Sequence, residues 1–228
     1  MIKKINEEDP LPYTIGAFEG LNTKIYINPE WGNFFRDQYF LLLGWIQFHK
    51  CVYIQSKNSG VPNIIAKVSW KNNGIRKLKL VRDLWVEISK TSAEQICSIY
   101  TGEPINFKNF DLDHFIPWSY IGNDELWNLV PTEPNINSSK SNHLPSWDVY
   151  IKRFVDIQWF LYCCVFSNEK IRFKLDRCRQ DNLNEIWATE LLFVPGRTKE
   201  ELKNILVQNI RPIYNSAELQ GFTIWTYK

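Results

Sequence analysis

A small set of polar residues between positions 113 and 140 carries the groups that metal-assisted hydrolysis needs. Asp113 and Asn137 supply oxygen atoms, the ligands that Mg²⁺ and Mn²⁺ prefer. His114 directly follows Asp113, and an imidazole with an unperturbed pKa of about 6.5 is largely neutral near physiological pH. A neutral imidazole can accept a proton from water. These residue types therefore suit a general base at His114 and two ligands of one divalent ion at Asp113 and Asn137.

The spacing of these residues is more specific than their types. In chain order the pattern comprises Asp113, His114, Pro117, Asn128, Asn137 and Lys140. This segment resembles the HNH, or ββα-metal, nuclease family, and its spacing is similar to that of the HNH domain of RNA-guided CRISPR effector nucleases. The resemblance implies an α+β protein in which a ββα-metal (HNH) module is embedded in a mainly helical chain. It also implies an endonuclease that hydrolyses phosphodiester bonds.

The resemblance implies further roles that the residue types alone do not fix. Asn128 would tie the long loop of the module by hydrogen bonds and so orient the base without binding metal. DNA is the favoured substrate, with RNA as the alternative, and restriction or phage defence is the favoured setting. A homodimer or a protein partner in a defence complex would allow a double-strand cut, because one ββα site cuts one strand. The rival interpretation is a catalytically silent subunit that binds nucleic acid or helps a larger complex to assemble.

Many HNH proteins also carry a zinc knuckle built from two CxxC pairs. In this chain the four corresponding positions are Cys97, Tyr100, Glu133 and Ile136, so three of the four thiolate ligands are absent. Structural zinc is therefore not expected, and packing of apolar residues must hold the module together.

The first strand of the module is expected to end close to Asp113 and His114. Adjacent residues of a strand point to opposite faces, so Asp113 and His114 are expected where the strand ends, after Leu112. The family fold implies a loop over residues 115–127 between the two strands.

The second strand is expected to open at Asn128. A short helix with Pro134 in its first turn should then present Asn137. Lys140 would lie one turn further on the same helix face, where it could contact a substrate phosphate.

Outside the motif, the chain is predicted to form a mainly helical N-terminal region over 1–91, the module over 92–145 and a helical C-terminal region over 146–228. Aromatic and aliphatic residues at mixed helical spacings predict a buried helix over about 31–54. The remaining helices are predicted over 75–90, 147–166, 170–191 and 199–210, the last one ended by Pro212.

The formal net charge of +2 is too small to identify a nucleic-acid-binding protein, because phosphate binding depends on a local patch of positive charge. One basic cluster precedes the module and comprises Lys71, Arg76, Lys77, Lys79 and Arg82. Together with Lys140, this cluster is predicted to contact the nucleic-acid backbone. A solvated helix face is the alternative interpretation of the cluster.

Composition restricts the class of protein. A hydrophobic share of 44% and an aromatic share of 15% are typical of a folded globular chain. The five cysteines contain no CxxC pair and are expected to be reduced thiols. The N-terminal stretch turns acidic before any apolar run, and no run is long enough to span a membrane. Cytoplasmic location and no membrane partner are therefore expected.

Overall fold

The computed structural model describes residues 11–58, 60–68 and 77–227 of the chain. The chain divides into two compact units, Met1–Lys57 and Asn58–Lys228. Lys71 and Arg76 of the predicted basic cluster lie outside the described residues. The division into 1–91, 92–145 and 146–228 stays a prediction.

The first unit combines a small hairpin with two helices. Strands β1 (Tyr13–Ile15) and β2 (Ile25–Ile27) pair antiparallel. Helix α1 (Pro29–Asp37) begins after Asn28, whose side chain accepts a hydrogen bond from the Glu30 backbone N–H.

Helix α2 (Tyr39–Lys57) follows α1 directly, and neither helix contains a buried residue. The prediction of one buried helix over 31–54 is therefore wrong in both number and burial. Apolar side chains are spread around α2 rather than gathered on one stripe, so their abundance did not specify a buried face.

The second unit contains all the remaining elements. Its helices are α3 (Ile64–Val68), α4 (Lys79–Thr91), α5 (Trp118–Ile121), α6 (Pro134–Lys140), α7 (Trp147–Ser167), α8 (Glu169–Asn182) and α9 (Lys199–Leu219). Its strands are β3 (Asp111–His114), β4 (Leu129–Thr132), β5 (Leu144–Pro145) and β6 (Ile224–Trp225). Short helical turns occur at Gly20–Asn22 in the first unit and at Leu126–Asn128 in the second, and a π-helical turn occurs at Ala188–Leu192.

The fold is α+β and mainly helical, as predicted. Each described sheet has two strands, and β3 pairs antiparallel with β4 so that Asp111 faces Thr132 and His114 faces Leu129. The first strand extends through His114 rather than stopping after Leu112 as expected.

One apolar core joins the module to its flanking helices. Helix α4 buries Val81, Leu84, Trp85 and Ile88, which lie on one face because their spacing follows the helical repeat. From the module, Phe115 stacks on Phe154 of α7, with ring centroids 4.1 Å apart. The helices therefore support the module by direct packing.

The C-terminal helices differ from their predicted bounds. Helix α8 ends at Asn182, and α9 continues through Pro212 to Leu219, so the predicted break at Pro212 is wrong. Proline removes one helical hydrogen bond, but buried Ile210 and Tyr214 on either side anchor α9 to the core. No helix among the described residues has both the length and the apolar character needed to cross a membrane.

Candidate active site

Strand β3 places Asp111 and Asp113 on the same face, because side chains alternate along a strand. Helix α6 lies against this face and contributes two of the predicted site residues. Asn137 Nδ2 donates to Asp111 Oδ2 at 3.0 Å, and Lys140 Nζ donates to Asp113 Oδ1 at 3.0 Å. The structure therefore brings Asp113, Asn137 and Lys140 to one strand face, with Asp111 as a fourth member that sequence analysis missed.

The carboxylate of Asp113 is buried and has partners on both oxygens. Lys140 binds Oδ1, and the Tyr100 hydroxyl donates to Oδ2. Burial and then the neighbouring charge of Asp113 raise the pKa of Tyr100 well above its usual value, so the phenol stays protonated and donates.

Lys140 is fully buried, and its ammonium also donates to the backbone carbonyl of His114 at 2.7 Å. This position faces the interior of the module, whereas the predicted phosphate contact requires an ammonium that a substrate can reach.

His114 contacts a different carboxylate from the one beside it in the sequence. Its Nε2 atom lies 2.8 Å from Asp124 Oδ1, and the two side chains are only 5% and 6% exposed. The other oxygen of Asp124 accepts a hydrogen bond from the Lys77 backbone N–H at 2.6 Å. Sequence analysis missed Asp124, because nothing in its spacing showed that the loop folds back onto His114.

Asn128 joins the two ends of the loop between β3 and β4. Its side-chain oxygen accepts from the Ile116 N–H at 2.8 Å, and its side-chain nitrogen donates to the Ile116 carbonyl at 2.9 Å. The side chain is fully buried. Both polar groups of Ile116 therefore depend on one asparagine, which fixes the backbone just after His114 and Phe115.

Hydrogen bonds connect the segments in which a zinc knuckle would have its ligands. Thr101 donates to Glu133 at 2.7 Å, and Thr132 donates to the other oxygen of Glu133 at 3.1 Å. Burial alone would raise the pKa of Glu133, but hydrogen bonds from Thr101, the backbone, Ser98 and Thr132 outweigh it and lower the pKa.

The described members of the basic cluster have different surroundings. Lys77 Nζ pairs with Asp181 at 2.5 Å, and Lys79 is exposed in the first turn of α4. The Arg82 guanidinium packs 4.5 Å from the centre of the Phe110 ring and lies 3.7 Å from Asp111. Of these three cations, Arg82 is the one that the structure brings to the strand face of Asp111.

Among the described residues, no group of three or more His, Cys, Asp or Glu side chains is placed to hold a metal ion. An ion beside β3 would therefore need the amide oxygen of Asn137 together with Asp111 and Asp113. Carboxylate and amide oxygens suit a hard divalent cation. Asn137 presents its amide nitrogen to Asp111, so the amide would have to turn to offer its oxygen. The donor chemistry fits such an ion. Lys140 and Tyr100 each bind a different oxygen of Asp113, so each oxygen keeps a second lone pair.

A family model matches part of the chain. Neither a curated protein nor a solved structure matches the chain. The family model described as HNH endonuclease matches residues 98–146, which contain β3, β4, α6 and every motif position from Asp113 to Pro145. The match identifies this segment of the chain as an HNH endonuclease segment.

Proposed function

We propose that the protein is a metal-dependent endonuclease that hydrolyses phosphodiester bonds of DNA and acts in restriction or phage defence. The match of residues 98–146 to HNH endonucleases indicates nuclease activity in general. The observation that carries the proposal is the arrangement around β3. Two carboxylates on one short strand lie beside the adjoining helix, whose Asn137 contacts Asp111, and the last residue of the same strand, His114, supplies an imidazole.

In this proposal the side chains of the protein divide the work. His114 accepts the proton of the attacking water, and its contact with Asp124 orients the imidazole ring for this role. Asn128 holds the backbone that follows the base. Lys140 balances the charge of Asp113 and holds it in place through a second bond to the His114 carbonyl.

Asp113 and Asn137 are the proposed ligands of one Mg²⁺ or Mn²⁺ ion, with Asp111 as an added ligand. When bound, such an ion stabilises negative charge on the phosphate and on the leaving oxygen. Asp111 has a 38% exposed side chain and lies at the accessible end of the strand face, which supports its inclusion.

DNA binding is proposed for Lys79 and Arg82 on α4, together with Lys77, Lys71 and Arg76 as predicted. Lys140 is left out, because its buried ammonium pairs with Asp113. Arg82 is the best supported of these residues, since its guanidinium lies beside Asp111 and is 40% exposed. Phosphate groups held by such cations would make binding weaken as salt rises. A homodimer or a protein partner is the proposed route to a double-strand cut.

Incubation of the purified protein with supercoiled and linear DNA tests the proposal. Parallel reactions contain Mg²⁺, Mn²⁺ or a chelator, and the protein is compared with His114→Ala. His49→Gln is the matched control, because His49 lies on α2, outside the HNH segment. We expect metal-dependent nicking by wild type and His49→Gln, and a loss of about 10²-fold or more in His114→Ala.

The results separate the two interpretations of the chain. Equal nicking by wild type and His114→Ala would contradict the proposed mechanism. Binding of DNA by wild type without any cleavage, in either metal, would favour the silent binding or assembly subunit.

A further inference from the structure

The contact between His114 and Asp124 has a direction that the surrounding atoms determine. An ionised carboxylate has no hydrogen to donate, so the hydrogen between Asp124 Oδ1 and His114 Nε2 belongs to the imidazole. In a neutral ring this leaves Nδ1 as the nitrogen with the free lone pair. Asp124 thereby selects one of the two imidazole tautomers.

Contacts with two other segments of the second unit hold Asp124 in place. Its second oxygen accepts from the Lys77 backbone N–H at 2.6 Å, just before α4. Its backbone carbonyl accepts from Asn182 Nδ2 at 2.7 Å, at the end of α8. The same Asn182 nitrogen also donates a hydrogen bond to the Lys77 carbonyl at 3.0 Å. The carboxylate therefore cannot turn away from His114 without losing its bond to the Lys77 N–H, and Asn182 holds the backbone that carries it.

We propose that Asp124 is a positioning residue for the base, and that its carboxylate fixes His114 with hydrogen on Nε2 and the proton-accepting lone pair on Nδ1. This inference rests on the proposed function, in which His114 accepts a proton from water. Asp124 acts through His114 and does not itself touch the reacting atoms.

The substitution Asp124→Asn tests the tautomer directly. The Lys77 N–H is a donor in every state, so the new amide must turn its oxygen toward Lys77. Its NH₂ group then faces His114 Nε2, which must become an acceptor and move the ring hydrogen to Nδ1. The substitution replaces one carboxylate oxygen by an amide nitrogen and keeps the size and shape of the side chain. Nδ1 of His114 then carries the hydrogen and has no free lone pair to accept a proton from water.

The primary measurement is the ring nitrogen spectrum of His114 by NMR in ¹⁵N-labelled protein at about pH 8. The chain has only three histidines, so the signal of His114 can be assigned by its loss in His114→Gln. We expect hydrogen on Nε2 in the wild type and on Nδ1 in Asp124→Asn. The nicking rate of Asp124→Asn should fall about 10²-fold or more, with DNA affinity changed by less than about threefold.

Asp181→Asn is the matched control. It removes the same charge close to the same residue, since Asp181 pairs with Lys77 Nζ at 2.5 Å, but its contact is with the Lys77 side chain rather than with His114. We expect it to keep the wild-type tautomer and to nick within about twofold of the wild-type rate. Unfolding curves of both variants show whether a loss of rate is a loss of folded protein.

Two results would overturn the inference. The first is hydrogen on Nδ1 in the wild type. This result needs no variant, so it is decisive even if Asp124→Asn does not fold. The second is an unchanged tautomer of His114 in Asp124→Asn, whatever the nicking rate of that variant. Absence of nicking by wild type with the expected tautomers would instead reject the proposed function and leave the positioning by Asp124 supported.

Discussion

At the scale of single residues, the ammonium of Lys140 and the carboxylate of Asp113 form a buried pair in which each charge needs the other. Lys140 is fully buried and Asp113 is 4% exposed. Lys140→Met leaves Asp113 with Tyr100 as its remaining side-chain partner, and an uncompensated buried charge is costly. We expect the free energy of unfolding to fall by about 3–5 kcal/mol, measured by urea denaturation.

A second substitution distinguishes this role from a phosphate contact. Asp113→Asn added to Lys140→Met removes both charges, so the double variant should be more stable than Lys140→Met alone. Lys152→Met, on an exposed position of α7, is the control and should change stability by less than about 0.5 kcal/mol. A Lys140→Met protein of wild-type stability with a raised KM would support the phosphate contact instead.

Asn128 is the other residue whose single side chain satisfies several buried groups. Asn128→Ala leaves the N–H and the carbonyl of Ile116 without their partner in the interior. We expect a loss of about 2–4 kcal/mol in unfolding free energy. The nicking rate of the protein that remains folded should also fall at least about tenfold, because the backbone after His114 loses its support.

The control for Asn128 is Asn135→Ala, an exposed asparagine of the same module in the first turn of α6. It should unfold at nearly the same urea concentration as the wild type. Equal stability of Asn128→Ala and Asn135→Ala would show that Ile116 finds other partners and that Asn128 does not fix the loop.

At the scale of elements, Glu133 connects the turn at Thr101 with the end of β4. Hydrogen bonds hold its pKa below the ordinary value, so the folded state favours the ionised form. Such a group stabilises the fold at pH values above its unfolded pKa, and the stabilisation disappears as pH falls through the folded pKa. Because Glu133 is partly exposed, its contribution should be only about 1 kcal/mol.

Glu133→Gln provides the corresponding measurement. The difference in unfolding free energy between wild type and variant should be largest near neutral pH and should shrink below about pH 4.5. Glu103→Gln, an exposed change in the same turn, should show no such pH-dependent difference. A difference that grows toward acid pH would have the wrong sign for a lowered pKa and would contradict the assignment.

The elements also show what could be predicted from sequence and what could not. The family resemblance correctly implied two strands and the short helix that carries Asn137. The segment between the strands contains helix α5, and β4 begins at Leu129 rather than at Asn128 as expected. The partners of His114 and Asp113 were not predictable in this way. Asp124 and Tyr100 reach these residues only after the chain folds back, and a tertiary contact has no fixed spacing. The predicted helix end at Pro212 was wrong for a related reason. Burial of one face of α9 outweighed the tendency of proline to end a helix.

At the scale of the whole molecule, the HNH segment depends on the chain that surrounds it. Gln158 on α7 donates to the carbonyl of Trp127 at 3.1 Å, and buried Glu125 accepts from the Asn184 N–H at 3.1 Å. Trp127 itself packs against Trp187, with centroids 5.2 Å apart. These contacts position the loop that carries Asp124, so the flanking helices support the proposed chemistry as well as the core.

Two truncated chains test this dependence. The described buried hydrophobic residues all lie between Ile64 and Ala217, and the first unit contributes none of them. A chain of residues 58–228 should therefore fold, with an unfolding free energy within about 1 kcal/mol of the whole protein. A chain of residues 92–145 should stay unfolded by circular dichroism, because Phe115 and Trp127 would lose the helices that cover them. Cooperative unfolding of 92–145 would instead confirm the predicted module as a domain, and failure of 58–228 to fold would show that the core needs the first unit.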